Sequence, residues 1–179
     1  MSSKEPTRIV LVGFMGAGKS SVGPLLAARL SWAFQEMDHL VEERTGLSIP
    51  ILFKTRGERF FRDQERRVAL SLGTCERVVV ATGGGAFAQP GTREALQGGA
   101  TTVWLRAPFE TLLARAGLGG SRPLAVDRET MSRIWAERDP SYRKADLVIE
   151  TAGASPEEVA RRIVEEVFKG RPIPGTKGP

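Results

Sequence analysis

Residues Arg8-Ile9-Val10-Leu11-Val12-Gly13-Phe14-Met15-Gly16-Ala17-Gly18-Lys19-Ser20 decide the fold. The run through Val12 is short, apolar and ends at a glycine, the pattern of a buried parallel strand. Gly13 to Ser20 then match G-x-x-x-x-G-K-[ST], a turn whose glycines let the backbone wrap closely around phosphate groups. Amide N–H groups and the helix N-terminus that follows face the negative charge. Leu25, Leu26, Ala28 and Leu30 recur at helical spacing, so the turn lies between a strand and a helix, the context the motif requires. Gly16, Ala17, Gly18, Lys19, Ser20 and Ser21 form the expected nucleotide-binding run. Lys19 is placed for the β- and γ-phosphates, and the Ser20 hydroxyl for Mg²⁺.

Working outward, Phe34 to Met37 reads as a second short strand, and Asp38 opens a helix through Leu40 to Thr45 that stops at Gly46. Residues 57–72 are helical in pattern, with Phe60, Phe61, Val68, Leu70 and Leu72 set among charges. Arg77 to Thr82 is the clearest central strand, closed by Gly83, Gly84 and Gly85. Thr101 to Leu105 is another, with Pro108 in the next helical turn. Residues 117–127 carry glycines and Pro123 and read as a mobile loop. Asp146 to Glu150 is the last strand, and Ser155-Pro156-Glu157-Glu158 starts a helix with an N-cap serine, a first-turn proline and acids at the positive end of the dipole. Alternating strands and helices predict an α/β three-layer sandwich, a central parallel sheet covered on both faces, of the P-loop NTPase, nucleoside-monophosphate-kinase-like kind. Residues 1–168 form one domain on this reading, and the proline- and glycine-rich stretch 169–179 is expected to be a disordered tail.

A chain of 179 residues is one domain's worth and needs no disulfide or metal staple. Its one cysteine, Cys75, has no internal partner. The opening residues lack the basic and apolar regions of a secretory signal, and no apolar run approaches the ~18 residues of a membrane span. A cytoplasmic monomer without membrane contact is expected. Net charge is +5 and the pI about 9.9, which favours anionic partners. The basic residues are interleaved with acids, as in Glu58-Arg59-Phe60-Phe61-Arg62-Asp63, and not gathered into a stripe, so acidic metabolites are favoured over nucleic acid.

Three further segments make the chain resemble the shikimate kinase family. Phe34-Gln35-Glu36-Met37-Asp38, with Val41 to Gly46 and Ser48-Ile49-Pro50, is similar to the family's acidic pair after the second strand and the helix beyond it. Gly57-Glu58-Arg59-Phe60-Phe61-Arg62-Asp63-Gln64-Glu65 resembles its G-E-x-x-F-R-x-x-E segment, and Thr82 to Ala86 its glycine triplet. Arg122-Pro123-Leu124 resembles the lid, taken as about 115–127, and Tyr142-Arg143 the late substrate-binding arginine. The resemblance runs from about residue 8 to 168.

It implies transfer of the ATP γ-phosphate to shikimate, with Mg²⁺ as cofactor. Shikimate is a small ring with one carboxylate and three hydroxyls, and it calls for arginine forks, close backbone approach and an acid near the reacting hydroxyl. By resemblance, Arg62 and Arg143 hold the carboxylate, with Glu65 orienting Arg62. Gly83, Gly84 and Gly85 meet the substrate through their backbone. Asp38 hydrogen-bonds the acceptor hydroxyl and takes its proton, although an aspartate there also suits a helix N-cap. Arg115 stacks on adenine, Arg122 reaches the phosphates on lid closure, and Glu36 acts on Mg²⁺ through water. The chain departs from the family pattern at Glu36, where aspartate is usual, and at Ala154 and Ser155, where a basic side chain is common near the adenine loop. The alternatives are another small-molecule kinase of this fold, such as a gluconate kinase, or a non-catalytic relative. The latter should have lost Lys19, Asp38 or a site arginine, and the sequence retains them.

Overall fold

The computed structural model describes residues 6–117 and 127–174. Strand β1 (Arg8–Val12) is buried along its length because neighbours flank it on both edges and helices cover both faces. One neighbour is β3 (Val78–Ala81), with Val10 opposite Val80; the other is β4 (Thr101–Arg106), with Val10 opposite Thr102. Strand β2 (Ala33–Glu36) lies outside β3 and β5 (Leu147–Glu150) outside β4. All pairings are parallel, in the order β2-β3-β1-β4-β5. The connections after β1, β2 and β3 therefore emerge side by side at the carboxyl end of the sheet, where open α/β folds bind ligands.

Helix α1 (Lys19–Leu30) begins at Gly18, whose φ of 96° is a left-handed conformation that side chains resist. It packs against α7 (Pro156–Val167), which starts as the sequence predicts: Ser155 Oγ accepts the Glu158 N–H at 3.2 Å and Pro156 stands in the first turn.

Two boundaries differ from expectation. Helix α2 (Met37–Thr45) starts at Met37, so Glu36 occupies the N-cap position and Asp38 sits inside the first turn, near the positive end of the dipole. The reading of Asp38 as an N-cap is thereby corrected. Helix α3 (Ile49–Leu72) starts eight residues earlier than the pattern indicates, and Gly57, at φ 78° and ψ 168°, breaks it where the sequence reading placed its beginning. Leu52 on the added turns is fully buried.

Helix α4 (Pro90–Gln97) follows a 3₁₀ turn, Ala86–Ala88, that continues from the glycine triplet. Helix α5 (Phe109–Ala116) and α6 (Arg128–Tyr142), the latter absent from the sequence reading, flank residues 118–126 in the chain. Residues 118–126, which include Arg122 and most of the expected lid, lie outside the described residues. Of the tail, residues through Pro174 are described: the Arg171 N–H donates to the Phe168 carbonyl and Ile173 packs on the core, while 175–179 lie outside the described residues. No helix among the described residues is long and apolar enough to cross a membrane.

Candidate active site

Two adjoining clefts open at the carboxyl end of β1. The first, about 450 Å³, is walled by the Gly16–Val22 turn and by Arg115, Thr151, Ala154 and Pro156. Gly16 has φ 77°, and a Cβ there would lie 2.3 Å from the Leu112 carbonyl oxygen, so the loop is seated against α5 by a contact only glycine permits. Lys19 is buried and its Nζ donates to the carbonyls of Gly13 at 2.7 Å and Phe14 at 2.9 Å, which holds the ammonium over the loop. The Ser20 hydroxyl donates to Glu36 Oε1. These two side chains thus set hard oxygen ligands side by side next to the loop, a donor set suited to Mg²⁺. Arg115 donates to Thr151 Oγ1 at 3.1 Å and to its carbonyl at 2.9 Å, fixing the guanidinium on the cleft wall across from Pro156.

The second cleft is built from charges. Asp38, Arg62, Glu65, Arg138 and Gly83–Gly85 line it, with Phe53 and Phe61 on the apolar side. Arg62 Nη1 donates to Glu65 Oε2 at 2.8 Å, and its Nε and Nη2 donate to Glu58 at 3.2 and 3.0 Å. Burial opposes the Arg62 charge, but Glu65 and Glu58 outweigh it and hold the group more firmly protonated than an ordinary arginine. Glu65 is 1% exposed. Burial pushes its carboxyl up, Arg62 pulls it back, and the Asp38 charge adds to the rise. Its Oε1 is buried and receives no hydrogen bond among the described residues. An acceptor left in this state fits a hydroxyl or water brought by a ligand.

The glycines admit these charges. A Cβ on Gly83 would lie 2.6 Å from Asp38 Oδ1 and 2.9 Å from Glu65 Oε1, so the two carboxylates converge over that residue. A Cβ on Gly85 would lie 2.7 and 2.8 Å from the Arg62 Nη atoms and 3.0 Å from Arg138 Nη2, so two guanidiniums converge over this one. Burial pushes the Arg138 pKa down, an effect that neighbouring Arg62 reinforces and Tyr142 opposes. Its guanidinium carbon also stands 5.9 Å from the Phe14 ring centroid, which joins the second cleft to the phosphate loop.

The structure therefore brings together Gly16, Ala17, Gly18, Lys19, Ser20, Ser21, Glu36 and Arg115 around one cleft, and Asp38, Arg62, Gly83, Gly84 and Gly85 around the other. It does not bring Arg143. That side chain is 62% exposed, and its Nε donates to Asp139 on its own helix at 2.6 Å. Arg138, 9% exposed, occupies the position expected of Arg143. The available signal is helical: residues 138 and 142 lie four apart on one face, and an inward Tyr142 implies an inward Arg138 and an outward Arg143.

A family model described as shikimate kinase matches residues 15–168. A shikimate kinase from Moorella thermoacetica is 44% identical over 162 residues, 89% of this chain and 94% of that one. One from Halorhodospira halophila is 44% identical over 173 residues, 94% of this chain and 97% of that one. Among solved structures, shikimate kinase from Acinetobacter baumannii in complex with shikimate superposes with a TM-score of 0.87 at 36% identity, covering 92% of this chain and 94% of its own. A gluconokinase from Sinorhizobium meliloti reaches 0.57 at 22% identity, covering 92% of this chain and 97% of its own, a likeness of fold.

Proposed function

The chain belongs to the shikimate kinase family, and on that premise we propose that it transfers the γ-phosphoryl group of ATP to the 3-hydroxyl of shikimate, giving shikimate 3-phosphate and ADP. The observation that carries this reading is the convergence of Arg62 and Arg138 on Gly85, next to the Asp38–Glu65 pair and open toward the phosphate loop. Two guanidiniums match one planar carboxylate, and the carboxylates opposite suit ring hydroxyls.

ATP enters the first cleft with its phosphates on the amides of Gly16 to Ser21 and its adenine between Arg115 and the Pro156 side. Lys19 exchanges its loop carbonyls for phosphate oxygens. Ser20 would hold Mg²⁺ directly and Glu36 through water. The ion, when bound, neutralises charge on the β- and γ-phosphate oxygens. Shikimate lies with its carboxylate on Arg62 and Arg138 and its ring against Phe53 and Phe61. Asp38 accepts the hydrogen bond of the 3-hydroxyl and receives its proton as that oxygen bonds to the γ-phosphorus. The bond to the bridging oxygen breaks, and ADP leaves with the electron pair. Arg122, by the family resemblance, would meet the transferring phosphoryl group and help keep water from it.

Phosphorus NMR of the product tests the assignment. Incubation with Mg-ATP and shikimate should give ADP and a phosphomonoester coupled to the C3 methine. Phosphate on another oxygen, or free phosphate alone, would contradict it.

A further inference from the structure

Tyr142, the only tyrosine, is 1% exposed and ends α6 against the glycine triplet. Its ring packs on Trp104 of β4 with centroids 5.9 Å apart, which fixes the direction of the phenol. The hydroxyl donates to the Gly84 carbonyl. One helical turn earlier on the same face, the Arg138 guanidinium interacts with the phenol, which favours the charged form of the arginine. A phenol both donates and accepts, so this one oxygen ties a site cation to the backbone of the turn facing it.

The three carbonyls of that turn are all engaged. Gly83 O accepts from the Ala86 N–H at 3.1 Å, Gly85 O from the Ala88 N–H at 3.2 Å, and Gly84 O from Tyr142. The first two bonds are local and form with the 3₁₀ turn. The middle carbonyl depends on a side chain 58 positions away. In a trans peptide the carbonyl and the following N–H point in opposite directions, so anchoring Gly84 O also fixes the direction of the Gly85 amide. Without that anchor the central peptide plane can rotate, and Arg138 loses the polar neighbour that interacts with it beside Gly85.

We propose that Tyr142 is a positioning residue for shikimate: its hydroxyl holds Arg138 and the Gly84–Gly85 peptide in one fixed relation, so that the carboxylate fork and the glycine turn are presented together. This rests on the functional reading above. Tyr142 touches neither the nucleotide cleft nor the transferring phosphoryl group, so its effect falls on capture of the acceptor and not on ATP.

The test is Tyr142→Phe in the full chain, which keeps the ring and its packing on Trp104. The KM for shikimate should rise about 5- to 100-fold, the scale of one lost buried hydrogen-bond partner, while the KM for ATP stays within about twofold. Calorimetric shikimate affinity should fall in parallel. A cycle with Arg138→Lys separates positioning from general loosening: once Arg138 is replaced, removing the hydroxyl should cost less than about threefold more, because coupled residues are not additive. Unchanged shikimate affinity in Tyr142→Phe, equal rises in both KM values, or full additivity in the cycle overturns the role of Tyr142 while leaving the kinase assignment standing. A wild type inert toward shikimate overturns the functional reading and this role with it.

Discussion

Gly85 and Arg62 approach so closely that a Cβ on the glycine would lie 2.7 Å from Arg62 Nη2. The backbone does not require glycine there, since φ is −102° and ψ −10°, which any residue adopts. The guanidinium requires it. The missing methyl is the space in which Arg62 and Arg138 converge.

Gly85→Ala should therefore act on binding and not on folding. The colliding atoms are the ends of long side chains, which can swing aside, so stability should change by less than ~1 kcal/mol. Shikimate affinity should fall roughly tenfold or more as the forks are displaced, because their geometry is what recognises a carboxylate. Urea denaturation and calorimetric shikimate titration on the same preparation check both halves. A large stability loss with intact affinity would reverse the interpretation.

Arg138 and Arg143 are separated by the same titration. Arg138→Lys keeps a charge and loses the planar fork, and shikimate affinity should drop by about 10- to 100-fold, while Arg143→Ala, at an exposed site, should change it less than about twofold. The opposite ranking would restore Arg143 to the site.

That Arg138 lines the second cleft and Arg143 does not is a matter of periodicity. The strand–turn–helix around Lys19, the valine strand before Gly83 and the N-cap at Ser155 are local patterns, and a short window of sequence reveals each. Helix α6 is not of that kind. Six of the fifteen residues of Arg128–Tyr142 are charged, Pro140 lies within it, and its apolar stripe is short, Met131, Ile134 and Trp135 being followed by the charged run Glu137 to Asp139. Without a helix there is no reason to separate residue 138 from residue 143 by face. Helix α3 carries a signal that does survive: Phe61, Glu65, Val68 and Leu72 are buried on one face at helical spacing, and a glutamate in that row marks the site. The meeting of Asp38 with Glu65 over Gly83 joins three separate segments, and only the folded sheet brings them together.

The two acids after β2 should differ in kind. If Asp38 takes the hydroxyl proton as proposed, Asp38→Asn should lower kcat by ~10²–10⁴, unaffected by added Mg²⁺. Glu36→Gln alters the partner of Ser20 and should cost ~10–100-fold, partly restored by excess Mg²⁺. An Mg²⁺ titration of kcat at saturating ATP and shikimate distinguishes them. Equal defects with equal rescue would show the roles divided wrongly.

At the opposite end of the sheet, Arg8 offers a control. It is 3% exposed and its guanidinium donates to the carbonyls of Gly73 at 2.7 Å, Cys75 at 2.9 Å and Gly98, joining the C-terminal ends of α3 and α4. Cations are favoured at helix C-termini, and these carbonyls lose their buried donor in Arg8→Ala. The variant should lose about 2–4 kcal/mol of stability. Its kcat at a temperature where it is folded should match wild type, because no site residue moves. A catalytic defect in the folded variant would connect the two ends of the sheet.

The most direct measurement is steady-state ADP release with Mg-ATP against three conditions: shikimate, gluconate and no acceptor. Both acids offer a carboxylate and hydroxyls, but the cleft lined by Phe53 and Phe61 together with the carboxylates over Gly83 suits the apolar face and hydroxyls of a ring better than an open chain. Shikimate should support rapid, saturable ADP release, with gluconate near the acceptor-free rate. Gluconate turning over as well as shikimate, or equal rates with and without acceptor, would contradict the account.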